Sequence, residues 1–255
     1  MDSLYIVIPA YNEESNIAQV VADWYPIVEA YHGNGESRLV ILDDGSKDNT
    51  YAILQKLAAD RPMLTPLTKP NSGHGGTVLT GYHYALNNGA DFVFQTDSDG
   101  QTLSSEFHEF WDMRNDYDMV IGHRSSRGDG QARVFVTKVL KLVVRICFGV
   151  TIPDANTPFR LMNAETLKQN ISYIPDNFNL SNVLLSVIYA KAGKKVRFIP
   201  ITFRPRQGGV NSINMKSIYR IGKKAVKDFT VLNKQLAAVD WDYQRVHKND
   251  EVKSK

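Results

Sequence analysis

Three short apolar runs each empty into a polar turn, and each is followed by a segment of helical periodicity. Leu4-Tyr5-Ile6-Val7-Ile8 ends in Pro9-Ala10-Tyr11-Asn12-Glu13-Glu14, and Arg38-Leu39-Val40-Ile41-Leu42 ends in Asp43-Asp44-Gly45-Ser46. The third, Phe92-Val93-Phe94-Gln95-Thr96, ends in Asp97-Ser98-Asp99-Gly100-Gln101. Runs this short and this apolar read as buried strands. Their alternation with helices predicts βαβ units and a mostly parallel central sheet flanked by helices, an α/β fold. In open α/β sheets ligands bind at the carboxyl ends of the strands, so the three polar turns converge on one edge.

Helical spacing predicts helices over Ser15–Glu29, Tyr51–Ala59, Arg133–Phe148 and Met215–Phe229. Met119–Ile121 and Arg197–Phe203 read as further strands. Pro70-Asn71-Ser72-Gly73-His74-Gly75-Gly76 reads as a flexible turn opening a helix over Thr77–Asn88. Such a turn can cradle phosphate at a helix N-terminus or be an ordinary glycine-rich loop. It is neither a Walker A loop, for no Gly-Lys-Ser/Thr follows, nor a dinucleotide fingerprint, for the third glycine is missing.

The chain of 255 residues, 43% hydrophobic, is long enough for one large α/β domain or two small ones. No apolar stretch approaches the roughly 20 residues that span a bilayer, and the N-terminus has no signal-peptide pattern. The lone Cys147 excludes an internal disulfide and points to a reducing cytoplasm, with the thiol as a small core residue. A net charge of +3 is too mild to imply nucleic-acid binding, and no nucleic-acid motif is present. The polar stretch Asp240–Lys255 reads as a frayed tail.

Asp97 and Asp99 stand i, i+2 in a turn, where both can offer oxygens to one hard divalent cation, Mg²⁺ or Mn²⁺. Because Mg²⁺ usually completes its shell with substrate phosphates, the pair suggests a metal–diphosphate site. The plainer alternative is an Asp-rich turn after a strand. A second acidic pair, Asp43 and Asp44, at the parallel position of the second strand favours the site. Two helices are basic as well as amphipathic: Lys138, Lys141 and Arg145 on one, and Lys216, Arg220, Lys223, Lys224 and Lys227 on the other. Such helices either lie on an anionic membrane, where each Lys or Arg contributes roughly 1 kcal/mol, or are solvated faces over the core.

With these pieces in order, the chain resembles the inverting nucleotide-sugar transferases of the GT-A fold. Within them it looks most like the dolichyl-phosphate mannosyltransferase-like group, which glycosylates polyprenyl phosphates. The resemblance runs from Leu4 to Gly209. It rests on Ile8–Glu13, Leu42–Thr50, Asn71–Gly75, Asp97–Gln101, Gly122-His123-Arg124, Asp154–Arg160 and Pro200–Arg206. It implies that Pro9, Tyr11, Glu13 and Asp44, with Asp43 and Asp97, bind the donor nucleotide of a UDP- or GDP-hexose. It implies that Asp97, Asp99 and Gln101 hold Mg²⁺ or Mn²⁺, and that Arg124, Arg133 and Arg206 grip the acceptor phosphate. Two departures stand out. Pro158 replaces a usual glycine, and Phe178–Asn182 lacks the usual carboxylate, offering Asn179, Ser181 and Asn182 instead.

The expected reaction is transfer of a hexose to a polyprenyl phosphate by a protein peripherally bound to the cytoplasmic membrane surface. A hydroxyl acceptor would need a general base, for which Asp154 is the one candidate. A phosphate acceptor would not, since its second pKa of about 6 leaves it largely ionised at neutral pH. The alternatives are extension of a saccharide through a hydroxyl and a non-catalytic nucleotide-sugar-binding homologue. The expected organisation is a catalytic domain over 1–212, a basic amphipathic helix over 213–239 packed on or extending it, and a tail over 240–255.

Overall fold

The computed structural model describes residues 2–124, 130–204, 215–239 and 241. Seven strands form one sheet: β1 (Leu4–Ala10), β2 (Arg38–Asp43), β3 (Leu64–Thr68), β4 (Phe92–Gln95), β5 (Met119–Arg124), β6 (Arg160–Asn163) and β7 (Val196–Ile201). The helices are α1 (Ile17–Ala30), α2 (Thr50–Ala58), α3 (Gly73–Asn87), α4 (Phe107–Asp112), α5 (Gly130–Phe148), α6 (Ala164–Ile171), α7 (Ser181–Lys191) and α8 (Met215–Ala237). The strand order is β3-β2-β1-β4-β6-β5-β7. Every neighbouring pair is parallel except those made by β6, which runs antiparallel to β4 and β5. The ends of β1, β2, β4, β5 and β7 therefore share one edge with the start of β6.

The two faces of the sheet follow from side-chain alternation along the strands. Tyr5 and Val7 of β1, Val40 and Leu42 of β2 and Val93 of β4 face a core built with α3, α5, α6, α7 and α8. Leu4, Ile6, Ile8, Leu39, Ile41 and Phe94 face a second core built with α1, α2 and α4. In that second layer Phe94 packs edge-on against Phe107 and Phe159, at centroid separations of 4.9 and 4.7 Å. This aromatic packing anchors β4 just before its acidic turn. Pro66 is tolerated because β3 is an edge strand, where a missing N–H breaks no inner ladder.

The structure alters several sequence expectations. α3 begins at Gly73 rather than Thr77, so the glycine-rich segment is the first turn of a helix, not a loop before it. Glycine is required there for close packing: a Cβ on Gly75 would lie 2.2 Å from the Phe178 carbonyl oxygen. β7 ends at Ile201 instead of Phe203. α8 runs on past Phe229 to Ala237, with Ala225, Phe229, Leu232 and Leu236 buried in the same core as α5 and α7. Trp241 packs at a tilt against Tyr173, so packing continues past the start of the expected tail, and 242–255 lie outside the described residues. Cys147 is half-buried against the core, as a small apolar residue would be.

Candidate active site

The ends of β1, β2 and β4 open with the start of α3 onto a cleft of about 420 Å³. Pro9, Tyr11 and Glu13 line it from the first turn, Asp44 from the second, Gly73, His74 and Thr77 from α3, and Asp97, Ser98 and Asp99 from the third. The first two turns are laced together. The Asn12 N–H donates to Ser46 Oγ and the Lys47 N–H donates to Asn12 Oδ1, each at 2.9 Å. The Glu13 N–H donates to Thr50 Oγ1 at 2.8 Å. Asn12 adopts φ +54, a left-handed conformation that its short polar side chain tolerates. Glu13 is buried, and its carboxylate accepts from Asn16 Nδ2 at the entrance to α1.

Asp44 and Asp43 divide the work of the second turn. Asp44 reaches across to α3, where its two oxygens accept the N–H groups of Ser72 and Gly73, each at 2.9 Å, and Lys69 pairs with the same carboxylate. Burial works against the charge of Asp44. The Lys69 ammonium, the Ser72 N–H and the Thr77 hydroxyl outweigh it and hold the carboxyl below the usual carboxylate range. The two N–H groups of the helix start that a phosphate would contact are thus engaged by the protein's own carboxylate. Asp43 is 2% exposed and is not among the cleft-lining residues. It accepts from Thr68 Oγ1 at 2.8 Å and faces the Ser46 N–H, closing the turn.

Asp97 and Asp99 both reach the cleft. His74 Nε2 lies 2.9 Å from Asp97 Oδ1; a carboxylate only accepts, so Nε2 carries the proton. His74 is 48% exposed, so its partial burial does little to pull the imidazole down, and Asp97, helped by Asp99 and Asp44, raises it above the ordinary 6.5. The Gln101 N–H donates to Asp99 Oδ1 at 3.1 Å and fixes that carboxylate in the turn, where Gly100 takes φ +69. Gln101 itself is buried and bonded to Arg204. Its Nε2 donates to Arg204 O at 2.9 Å, and the Arg204 N–H returns a bond to Gln101 O at 2.8 Å. Unlike Asp97 and Asp99, Gln101 is not among the cleft-lining residues, and of its side-chain atoms only Oε1 could ligate a cation.

Among the described residues no three of His, Cys, Asp and Glu gather as a metal cage. Two carboxylates from one turn suit a hard cation that fills the rest of its shell with water and phosphate oxygens, so the donor set fits Mg²⁺ or Mn²⁺.

Farther along the same edge, Arg124 at the end of β5 forks onto Asp154, Nε to Oδ2 at 2.9 Å and Nη2 to Oδ1 at 3.0 Å. Its guanidinium also lies over the Phe203 ring, 5.1 Å from the centroid. Burial opposes the charge of Asp154, but the Arg124 guanidinium outweighs it and holds the carboxyl below its usual range. Arg124, expected to grip an acceptor phosphate, and Asp154, the candidate base, are joined to each other. Arg133 lies in α5 with its side chain outside the description, and Arg206 lies outside the described residues.

Sequence reasoning missed four side chains here. His74 stood inside a quoted motif, and its place between glycines at a helix start was a signal. Lys69 and Arg204 lie beside turns whose partners only the fold supplies. Arg160, fully buried at the start of β6, was hidden because β6 has just four residues.

Residues 5–179 match the family model described as Glycosyl transferase family 2. The chain is 26% identical over 222 residues to the polyprenol monophosphomannose synthase of Mycolicibacterium smegmatis, covering 84% of this chain and 82% of that protein. It is 25% identical over 215 residues to the undecaprenyl-phosphate mannosyltransferase of Micrococcus luteus, covering 82% and 86%. Among solved structures it resembles glucosyl-3-phosphoglycerate synthase from Mycobacterium tuberculosis in complex with Mn²⁺, UDP and glucosyl-3-phosphoglycerate. There the TM-score is 0.65 at 17% identity, over 91% of this chain and 80% of that one, a likeness of fold. With the family model spanning the cleft, the acidic turn and the Arg124–Asp154 fork, this chain belongs to glycosyl transferase family 2.

Proposed function

We propose that this glycosyltransferase moves a hexose from a nucleoside-diphosphate sugar to a polyprenyl phosphate, with inversion at the anomeric carbon. The Asp154–Arg124 fork carries the reading. A hydroxyl acceptor must lose a proton to a base, and Asp154 has both oxygens engaged and a depressed pKa, which makes it a weak one. A phosphate acceptor arrives ionised. Its oxygen attacks the anomeric carbon opposite the leaving diphosphate, the carbon–oxygen bond to the diphosphate breaks, and the electron pair departs with it. No proton need move. The polyprenol- and undecaprenyl-phosphate relatives support the same acceptor class.

Pro9, Tyr11, Glu13 and Asp44 line the cleft proposed for the UDP or GDP portion, with Asp43 holding the turn behind them. Asp97, Asp99 and Gln101 Oε1 would hold Mg²⁺ or Mn²⁺, which when bound neutralises charge on the departing diphosphate. Arg124, through the N–H groups that its fork leaves, and Arg133 and Arg206 are proposed contacts of the acceptor phosphate, for which guanidinium geometry is suited.

No helix among the described residues is long and apolar enough to cross a membrane. Peripheral contact with the cytoplasmic membrane surface is supported by the exposed apolar side chains. Of the six exposed large hydrophobics among the described residues, five lie on two helices: Val139, Leu142 and Ile146 on α5, Val226 and Val231 on α8. The two helices meet through Phe148 and Phe229, 5.2 Å between centroids. Lys138 and Arg145 are exposed beside the α5 residues and match an anionic surface. A screen of UDP- and GDP-hexoses against a short polyprenyl phosphate, read by mass spectrometry, tests the reading. A hexosyl polyprenyl phosphate is expected. Transfer only to a saccharide hydroxyl would overturn the acceptor, and nucleotide binding without turnover on either would overturn the activity.

A further inference from the structure

Arg160 is fully buried, and it sits where the two halves of the site meet. It opens β6, pairing with Gln95 of β4 on one side and Ile121 of β5 on the other. Asp97 follows Gln95 by two residues, and Arg124 follows Ile121 by three. All five guanidinium N–H groups are engaged. Nε donates to Thr157 O at 3.1 Å, and Nη2 donates to Thr157 O at 2.7 Å and Ala155 O at 3.2 Å. Nη1 donates to Asn182 O at 3.1 Å and Ser186 Oγ at 3.4 Å. None of these acceptors is a carboxylate.

That arrangement is costly for a purely structural residue. Taking a cation out of water is unfavourable, and neutral carbonyls satisfy its hydrogen bonds without cancelling its charge. An apolar side chain of the same volume would fill the space without that cost. What Arg160 adds is geometry and charge. It clamps the loop carbonyls of Ala155 and Thr157 and the first turn of α7 to the end of the sheet, and Asp154 is the residue before Ala155. Burial disfavours its charge, and of the charged groups around it the Asp154 carboxylate leads those that oppose this. On the α3 side the neighbouring Gln95 Oε1 accepts from Tyr82 Oη at 2.5 Å, so the same layer is tied to the helix that carries His74.

We propose that Arg160 is the positioning residue of the acceptor half of the site. By fixing the 155–157 loop it sets Asp154, and through the Asp154 fork it sets the direction in which Arg124 presents its remaining N–H groups to an anionic acceptor. The kinetic part of this proposal rests on the phosphate-acceptor reading; the structural part does not.

Arg160→Lys keeps the charge but has three donors for five acceptor contacts. In the variant, the Michaelis constant for a short polyprenyl phosphate should rise about tenfold or more, the worth of one to two lost hydrogen bonds. The affinity for UDP or GDP, measured by calorimetry, should stay within about twofold, because those residues sit on β1, β2 and α3. Combining Arg160→Lys with Arg124→Lys should raise the constant less than the product of the single effects, since both act through one fork. The Arg124 Nε–H resonance, read by ¹⁵N NMR without substrate, should be exchange-protected in the wild type and lose that protection in the variant. A merely structural role would lower the active fraction and the melting temperature and leave the Michaelis constant and the resonance unchanged. That result, or equal loss of nucleotide affinity, overturns the proposal. If Arg160→Lys does not fold, Ser186→Ala removes one Arg160 contact together with the hydroxyl's own bonds to the Ala155 and Asn182 carbonyls, and should raise the constant about twofold with the same unchanged nucleotide affinity; no rise overturns the proposal. A wild type inactive on polyprenyl phosphate would refute the acceptor reading, and the resonance would then decide the role of Arg160.

Discussion

Replacing Asp154 with Asn separates a structural ion pair from a catalytic base. Asparagine keeps the shape of the side chain and removes the charge, leaving the Arg124 guanidinium facing a neutral amide. The side chains of Arg124 and Asp154 are 19% and 11% exposed, so most of the pair is out of water. Breaking a fully buried pair costs about 3–5 kcal/mol and an exposed one about 0–1 kcal/mol. This pair lies between, and Asp154→Asn should lose about 2–3 kcal/mol in urea unfolding at pH 7. The difference should depend on pH with a definite sign. The folded pKa of Asp154 lies below its ordinary 3.8, so its contribution is complete above that value and is lost as pH falls through the lower folded value. Wild type and variant should therefore differ by a constant amount from pH 5 to 7 and converge below 3.8. With saturating polyprenyl phosphate, kcat should fall less than about tenfold, while the acceptor's Michaelis constant rises as the fork loosens. Removing a true general base costs about 10²–10⁴ in rate. A loss of that size in kcat, in a variant shown to be folded, would refute the reasoning and restore the hydroxyl acceptor.

Asp99→Ala should leave the melting temperature nearly unchanged, because the residue lies in a surface turn, and should reduce turnover by about 10² or more. Chelator-treated wild type should show the same loss and recover with Mn²⁺ or Mg²⁺; full turnover in chelator would refute the metal assignment. Gly75→Ala should destabilise by about 1–2 kcal/mol in urea titration, because overlap with the Phe178 carbonyl outweighs the helix-propensity gain of about 1 kcal/mol. Reversing Lys138, Lys141 and Arg145 to Glu should release the protein from anionic vesicles in a sedimentation assay and spare turnover on a short soluble acceptor. Wild type that fails to bind such vesicles at low salt would make the stripe a solvated face.

The β1, β2 and β4 edge was legible in the sequence because each strand is buried on both faces and so reads as an unbroken apolar run. The start of α3 was misread for a physical reason. Its glycines signal a loop locally, whereas Gly75 is required by the backbone of a segment about a hundred residues later. β6 escaped because it is four residues long and holds a buried arginine where a core strand would show an apolar side chain. The donor-side residues Pro9, Tyr11, Glu13, Asp44, Asp97 and Asp99 were all quoted from their turns, and all six line one cleft. The resemblance groups Asp43 with them, whereas strand alternation turns it away from Asp44 and into its own turn. The Arg124–Asp154 fork joins residues thirty positions apart, and no spacing rule foretells which two charges a fold will bring together.

One comparison decides between a phosphate and a hydroxyl acceptor. The protein, its matched nucleotide sugar and Mn²⁺ are incubated with a short polyprenyl phosphate or with the corresponding polyprenol, and the products are read by ³¹P NMR and mass spectrometry. A phosphodiester-linked hexose with inverted anomeric configuration is expected from the phosphate and no product from the alcohol. The rate should decline as pH drops below the acceptor's second pKa of about 6. Equal or faster transfer to the alcohol would overturn the phosphate acceptor.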